Sequence, residues 1–179
     1  MTGQAGSSRR GSYGIDAPYW VAVFAVVIAV NVLNAALSGK VWPFLPVVFL
    51  LACAGSCFYT TLRGKFVVWA DLLDRLGLRG DERILDLGCG RGAVLLLAAQ
   101  RLTTGRAVGV DLWRCVDQSG NTAEATRRNA VAEGVADRVD LHTADMTALP
   151  LEDDSFDLVV SSLAIHNISG RAGREKALE

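Results

Sequence analysis

Histidine and cysteine are scarce in this chain of 179 residues. It has 2 histidines and 4 cysteines, and no two of the cysteines form a C-x-x-C pair. Zinc sites are typically built from such pairs or from clustered histidines, so no metal site is predicted. Disulfides are not predicted either, because a domain that faces the cytosol keeps its thiols reduced.

An excess of basic residues is also missing. From residue 63 onward the chain carries 15 Lys and Arg against 18 Asp and Glu, a net charge of −3. Binding of nucleic acid requires a basic face, so a nucleic-acid partner is not predicted. No Gly-Lys-Ser or Gly-Lys-Thr follows a glycine-rich segment, which excludes a P-loop nucleotidase.

Charge is almost absent between residues 17 and 62, where Lys40 is the only charged residue. Residues 19–37 and 41–62 are apolar or small with few exceptions, and each segment reaches the roughly 20 residues needed to cross a hydrocarbon core. The link between them is short. Residues 17–62 are therefore predicted to form a transmembrane helical hairpin with the lipid bilayer as a partner.

Flanking charge predicts how this hairpin is oriented. Arg9 and Arg10 precede it and Arg63 and Lys65 follow it, so both termini are predicted to be cytoplasmic and the protein to reside in the cell membrane. The alternative is a signal peptide cleaved near residues 36–38, although a second apolar segment follows that point at once.

Two shorter segments flank the hairpin. Residues 1–16 are rich in glycine and serine and are predicted to be a disordered cytoplasmic tail. In residues 63–80 apolar side chains, including Phe66, Trp69 and Leu73, recur at helical spacing. This spacing predicts an amphipathic linker helix that lies on the membrane or against a sheet.

The segment from Ile84 to Gly92 carries the clearest chemical signal. An apolar run containing Asp86 leads into glycines at alternate positions and then into apolar residues 93–99. This pattern predicts a strand, a tight turn and a helix, since glycine tolerates positive φ and has no Cβ. A ligand is expected to lie against backbone N–H groups at the start of the helix.

Two interpretations fit this glycine loop. Gly88-x-Gly90-x-x-Ala93 matches the dinucleotide fingerprint, with Asp111 as the acid that contacts the ribose. The pattern Asp86-x-Gly88-x-Gly90-x-Gly92 instead resembles the first motif of class I S-adenosylmethionine (SAM)-dependent methyltransferases. A carboxylate at position 86 repels a pyrophosphate but attracts the cationic sulfonium and ammonium groups of SAM.

Downstream patterns favour the second interpretation. Short apolar strands are predicted at 107–111, 139–145 and 156–165, with helices at 92–102 and 122–133. Such alternation indicates right-handed βαβ units and a parallel sheet. Ligands bind beyond the carboxyl ends of such strands, which is where acidic residues end the second and third strands.

Residues 81–179 thus resemble an incomplete class I methyltransferase domain. The resemblance implies an α/β fold, a partial doubly wound parallel sheet of strands 1–4, preceded here by two transmembrane helices. It also implies SAM as cofactor: the loop at its amino-acid end, Asp111 at the ribose, and Asp145 at the adenine with Met146 packed nearby. The predicted cofactor-binding residues are Asp86, Gly88, Cys89, Gly90, Gly92, Asp111, Leu112, Asp145 and Met146. Each acid taken singly also fits a turn or helix N-cap.

The acceptor site is less well marked. In this family the chain just beyond strand four faces the methyl group, and His166 lies there. Oxygen or carbon acceptors require a base, which makes His166 the candidate catalytic residue, since histidine titrates near neutral pH; a purely structural histidine is the alternative. Residues 112–121 form an unusually long link, either a lid or substrate wall or a tolerated insertion.

The family has seven strands in the order 3-2-1-4-5-7-6, of which this chain supplies four, so a fragment with strand four as an exposed edge is expected. The function predicted is a membrane-anchored SAM-dependent methyltransferase acting on a small-molecule, lipid or membrane-protein acceptor. Two alternatives remain open: an NAD(P)-binding oxidoreductase, and a noncatalytic membrane protein with a truncated SAM-binding fold.

Overall fold

A computed structural model describes residues 9–178. It begins with helices α1 (Tyr19–Ser38) and α2 (Phe44–Tyr59), a π-helical turn (Thr60–Gly64) and α3 (Lys65–Leu76). An alternating part follows, with β1 (Arg83–Leu87), α4 (Ala93–Ala99), β2 (Arg106–Asp111), α5 (Ala123–Glu133), β3 (Val139–Thr143), β4 (Leu158–Val160) and α6 (Arg171–Lys176). Short 3₁₀ turns lie at Ala136–Arg138 and Ile165–Asn167.

Helices α1 and α2 pack side by side as a hairpin. Gly39 ends α1 in the left-handed conformation, and its N–H donates to the Ala35 carbonyl at 3.0 Å. Ala35 and Val47 are the only residues of the two helices that are buried. By length and composition, the helices Tyr19–Ser38 and Phe44–Leu76 are each long and apolar enough to cross a membrane.

The linker helix predicted over residues 63–80 is not a separate element. It is the last part of one helix that runs from Phe44 to Leu76, a span of 33 residues. At 1.5 Å per residue this helix is about 50 Å long, well beyond the roughly 30 Å of a hydrocarbon core. Its end, α3, packs against α4 through the buried Leu73.

The sheet confirms the predicted α/β class. Four parallel strands lie in the order β3-β2-β1-β4. Helices α3, α4 and α5 cover one face through a core that includes Ile84, Leu95 and Ala130. The other face, with Leu85 and Val108, is covered by apolar side chains of residues 144–156. The central strands are thus buried on both faces, as their unbroken apolar runs predict.

Strand four is shorter than predicted. The expected strand over residues 156–165 is formed only at Leu158–Val160. Beyond it, Ser161 donates to the Leu87 carbonyl at 2.8 Å, Trp69 donates to the hydroxyl of Ser162 at 3.0 Å, and Leu163 has φ of +56°. These side-chain contacts lead the chain off the sheet, so strand four is the edge strand that was expected but is only three residues long, with Val159 exposed.

Residues 9–16, part of the segment predicted to be a disordered tail, make hydrogen bonds with the domain; residues 1–8 lie outside the described part of the chain. The N–H groups of Arg10 and Gly11 donate to the carboxylate of Glu133 on α5, at 3.0 and 2.9 Å. The Tyr13 hydroxyl reaches the same carboxylate at 2.9 Å. Polar partners on α5 supply the hydrogen bonds that glycine and serine composition does not reveal.

Candidate functional site

A cleft of about 510 Å³ lies at the carboxyl ends of the strands. With the exception of Gly92, every residue predicted to bind cofactor or to act in catalysis lines it. These residues are Asp86, Gly88, Cys89, Gly90, Asp111, Leu112, Asp145, Met146 and His166. The topology therefore gathers into one site residues that are up to 80 positions apart in the sequence.

The glycine loop requires glycine at two of its positions. Gly88 and Gly90 have φ of +73° and +52°. A Cβ at Gly88 would lie 2.1 Å from the Cβ of Ala164, and one at Gly90 would lie 2.7 Å from the Oε1 of Gln118. A larger residue would force Ala164 or the side chain of Gln118 to move, in addition to the strain of positive φ.

The loop's own N–H groups are not free for a ligand, contrary to the expectation from the sequence. Each N–H from residue 88 to 92 donates to an acceptor within the chain. The acceptors are the Val110 carbonyl for Gly88 and Cys89, the Asp111 carboxylate for Gly90, the Gln118 amide oxygen for Arg91 and the Cys89 carbonyl for Gly92. A pyrophosphate depends on such donors, so this geometry disfavours a dinucleotide.

Asp111 ends β2 and holds the loop in place. One carboxylate oxygen accepts from the Gly90 N–H at 2.8 Å, and the other accepts from the Trp113 N–H at 2.5 Å and from the Asn121 amide at 3.2 Å. A carboxylate offers about four acceptor positions. One remains for a ligand hydroxyl, and the assignment of Asp111 to a ribose stays a prediction.

Asp86 lies beneath the loop and is only 2% exposed. Its Oδ1 has no hydrogen-bond partner within the described chain. Burial, and secondarily the negative charge of Asp111, raise the pKa of Asp86 to about 7. A cationic group in the cleft would stabilise the ionised carboxylate, so this orphaned acid fits the sulfonium or ammonium group of SAM.

Asp145 lies two residues beyond the end of β3 and is exposed. Its Oδ1 accepts from both the N–H and the hydroxyl of Thr147, each at 2.8 Å, and these hydrogen bonds lower the pKa of Asp145. Asp145 therefore forms a turn, as one interpretation of the sequence predicted, and its side chain also lines the cleft. Met146 packs beside it against the sheet.

Cys89 and Gly92 shape the loop from the protein side. The Cys89 side chain is buried in the core, where burial raises the pKa of its thiol. Gly92 precedes α4 with φ of +85°, and a Cβ there would lie 3.0 Å from the Cγ of Leu96. Their role as direct cofactor ligands stays a prediction, and for Gly92 the structure gives a structural reason instead.

His166 sits at the rim of the cleft, on the exposed 3₁₀ turn Ile165–Asn167. Its place beyond β4 agrees with the position expected for an acceptor-side residue. The catalytic assignment stays a prediction.

Sequence reasoning missed several residues that hold the loop. Gln118 and Asn121 are buried, line the cleft and bond to the loop or to Asp111. On α5, the Thr126 hydroxyl donates to the Gly90 carbonyl at 2.8 Å and the Asn129 amide donates to the Arg91 carbonyl at 2.9 Å. The long link over residues 112–121 was the available signal, and it does form a wall of the cleft.

A comparison with protein-family models identifies the family of this chain. Residues 84–179 match the model of the methyltransferase domain family. Because that match covers more than half of the chain, the chain belongs to this family of S-adenosylmethionine-dependent methyltransferases. The cofactor predicted from the sequence, SAM, is confirmed as the cofactor of the class.

Curated relatives are similar over the same region. The ubiquinone/menaquinone biosynthesis C-methyltransferase UbiE of Ruegeria sp. is 31% identical over 103 residues, which are 57% of this chain and 39% of that protein. The demethylmenaquinone methyltransferase of Beutenbergia cavernae is 37% identical over 97 residues, 54% of this chain and 35% of that protein. The chain thus spans well under half the length of these relatives.

A solved structure supports the fold alone. The YcgJ protein of Bacillus subtilis superposes with a TM-score of 0.51 at 24% identity, covering 62% of this chain and 43% of that protein.

Proposed function

We propose that this chain contributes the cofactor site and membrane anchor of a SAM-dependent methyltransferase that acts on an acceptor at the membrane surface. The observation that carries the proposal is the composition of the cleft wall. Gly88, Asp111 and His166 line it together with Tyr19, at the foot of α1, and Lys65, at the start of α3. One cavity thus joins the cofactor loop to the foot of the hairpin.

Bound SAM supplies an electrophilic methyl group on a sulfonium centre. Around it the chain's own residues have separate tasks. Asp86 offers a buried carboxylate to the cationic end, and Asp111 offers an acceptor to the ribose. The exposed His166 is proposed as the base that takes a proton from an oxygen or carbon acceptor. Proximity and orientation supply the remainder of the catalysis.

The membrane location rests on the surface of the hairpin. Most of its large apolar side chains are exposed; Val26, Val30 and Leu33 are about 60% exposed. A bilayer is the environment that removes such a surface from water. The charges at residues 9, 10, 63 and 65 favour a cytoplasmic location for both termini, where SAM is available.

An acceptor held at the membrane is consistent with this geometry. Two relatives are named for methyl transfer in the biosynthesis of ubiquinone or menaquinone and to demethylmenaquinone. A prenylated quinone precursor, another lipid or a membrane protein is therefore the acceptor class that we propose. Anchoring raises the effective concentration of such an acceptor at the cleft.

Substitution of Asp111 tests the cofactor assignment. We expect Asp111→Ala to weaken SAM binding at least tenfold in calorimetric titration, because a charge-assisted hydrogen bond contributes about 1.5–3 kcal/mol. Asp140→Ala, at a half-exposed acid of β3, serves as the matched control and should leave the affinity unchanged. Equal affinities for the two variants would contradict the assignment. Tight SAM binding without methyl transfer to a lipid extract would favour the noncatalytic alternative.

A further inference from the structure

Residues 9–17, hereafter the N-terminal strap, run across the outside of the cofactor loop before α1 begins. The strap forms an antiparallel bridge with the cleft wall at Asp16 and Gln118. The Ser119 N–H donates to the Ile15 carbonyl at 2.9 Å, and the Ala17 N–H donates to the Asp117 carbonyl at 2.8 Å. The strap is therefore fixed to residues 117–119 by its backbone.

Gln118 is the residue through which the strap reaches the glycine loop. Its side chain is 8% exposed and uses both ends of its amide. The oxygen accepts from the Arg91 N–H at 2.7 Å, and the nitrogen donates to the Asp16 carboxylate at 2.8 Å. The two partners fix the orientation of the amide, because a backbone N–H only donates and a carboxylate only accepts.

Asp16 is held in turn by Lys65 of α3. Its second oxygen pairs with the Nζ of Lys65, the first residue of α3, at 2.7 Å. The Lys65 side chain is 9% exposed and that of Asp16 is 23% exposed. Such shielding makes the pair stronger than an ion pair at the open surface.

Arg91 joins the loop to the strap a second time. Its guanidinium donates to the Ser119 carbonyl at 3.0 Å and to the Ser12 hydroxyl at 3.2 Å. Gly14 allows the close approach: it has φ of +67°, and a Cβ there would lie 2.6 Å from the Ser119 carbonyl oxygen. The strap and the loop thus meet along a continuous set of hydrogen bonds.

We propose that Gln118 is a positioning residue for the cofactor loop, and that Asp16 and Lys65 at the foot of the hairpin hold it in place. The strap is then part of the cofactor site, although it lies more than 70 residues before the glycine motif. The proposal rests on SAM binding at this loop. Displacing the strap should loosen the loop and weaken SAM binding while every residue predicted to bind the cofactor is retained.

The substitution Gln118→Glu, tested in the full chain in detergent micelles, affects the two contacts of the Gln118 side chain differently. Glutamate still offers an oxygen to the Arg91 N–H, but it places a negative charge against Asp16. We expect SAM affinity to fall about tenfold, as expected when one or two buried hydrogen bonds are lost. In the double variant Asp16→Asn with Gln118→Glu, the hydrogen bond between residues 16 and 118 can form again in the reverse sense: the amide of residue 16 donates to the new carboxylate. This variant should recover most of the affinity for SAM.

Tyr13→Phe is the control within the strap, because it removes only the hydroxyl contact with Glu133. It should change SAM affinity less than twofold. If Gln118→Glu binds SAM as tightly as the wild type, or if the double variant recovers nothing, the proposal is overturned.

Amide hydrogen exchange gives a readout that does not depend on SAM. In the ligand-free chain, Gln118→Glu should speed exchange across residues 90–92, and the double variant should slow it again. Unchanged exchange at these residues would overturn the positioning role even if SAM binds. Faster exchange in a chain that fails to bind SAM would instead support the positioning role and contradict the proposed function.

Discussion

The hairpin and the sheet domain are both rich in apolar residues, but the domain buries these residues and the hairpin exposes most of them. In the domain Ile84 and Leu95 are completely buried, and helices or a loop cover both faces of the sheet. In the hairpin only Ala35 and Val47 are buried. Amino-acid composition does not distinguish the two regions. They differ in whether other parts of the described chain cover their apolar side chains.

The two regions therefore require different surroundings. The domain supplies its own apolar interior, whereas the hairpin needs cover from outside, and we propose that a bilayer provides it. The two regions meet at the strap and at α3, where polar contacts accompany the apolar packing of Phe66 and Leu73. The Asp16–Lys65 pair lies at this boundary.

Charged substitutions on the hairpin should produce the largest effect. Val26→Asp, Val30→Asp and Leu33→Asp, combined in one variant, place acids on exposed apolar positions of α1. Each should cost about 2.5–3.5 kcal/mol in a membrane interior. We expect the wild type to stay in the membrane pellet after alkaline carbonate washing and the triple variant to be lost from it.

Val131→Asp is the matched control, because Val131 is 68% exposed on α5 of the domain. It should leave membrane retention unchanged. Release of the wild type by carbonate would remove the proposed difference between the two regions. Protection of the C-terminal domain from protease in spheroplasts would contradict the cytoplasmic orientation.

Two glycines with the same backbone conformation sharpen the account of the loop. Gly88 and Gly134 both have φ of +73°, but a Cβ meets Ala164 at Gly88 and open space at Gly134. Alanine at either position should lose about 1–2 kcal/mol of unfolding free energy from left-handed strain. Gly88→Ala should in addition weaken SAM binding at least tenfold in calorimetric titration. Equal SAM affinities of the two variants would show that the loop does not need its close packing.

A smaller effect is expected from pH. The pKa of Asp86 is about 7 in the folded, ligand-free chain, well above its value of about 3.9 in an unfolded chain. Its contribution to stability is therefore full below about pH 4 and is lost as the pH rises through 7. Affinity for a cationic ligand should move the other way, rising several-fold between pH 6 and 7.5.

Thermal unfolding and SAM titration across this pH range measure the two trends. Asp86→Asn should remove the Asp86 contribution to both, so the difference between the wild type and the variant isolates that residue. Parallel pH profiles for the wild type and Asp86→Asn would contradict a titrating carboxylate in the cleft.

The sequence predicts best where a function depends on neighbouring residues. The strand–glycine–helix unit around Gly88 and the acid that ends β2 are local patterns, and the structure places them as predicted. The strand order β3-β2-β1-β4 agrees with the order that the resemblance to class I methyltransferases implies. These features could be read without knowing any tertiary contact.

Contacts between distant side chains were not predictable. The early end of β4 depends on Ser161 and on Trp69 of α3, and the ordering of residues 9–16 depends on Glu133 and Gln118. The internal use of the loop N–H groups likewise depends on a glutamine 27 positions further along the chain. No periodicity records such pairings, because each involves single polar groups.

Calorimetric titration of the full chain in detergent with SAM and with NADH distinguishes a SAM site from a dinucleotide site. Two of the acids that line the cleft, Asp86 and Asp111, lie at the glycine loop, whose N–H groups already donate to acceptors within the chain. We therefore expect saturable binding of SAM at one site and no binding of NADH at the same concentrations. Tighter binding of NADH than of SAM would contradict it.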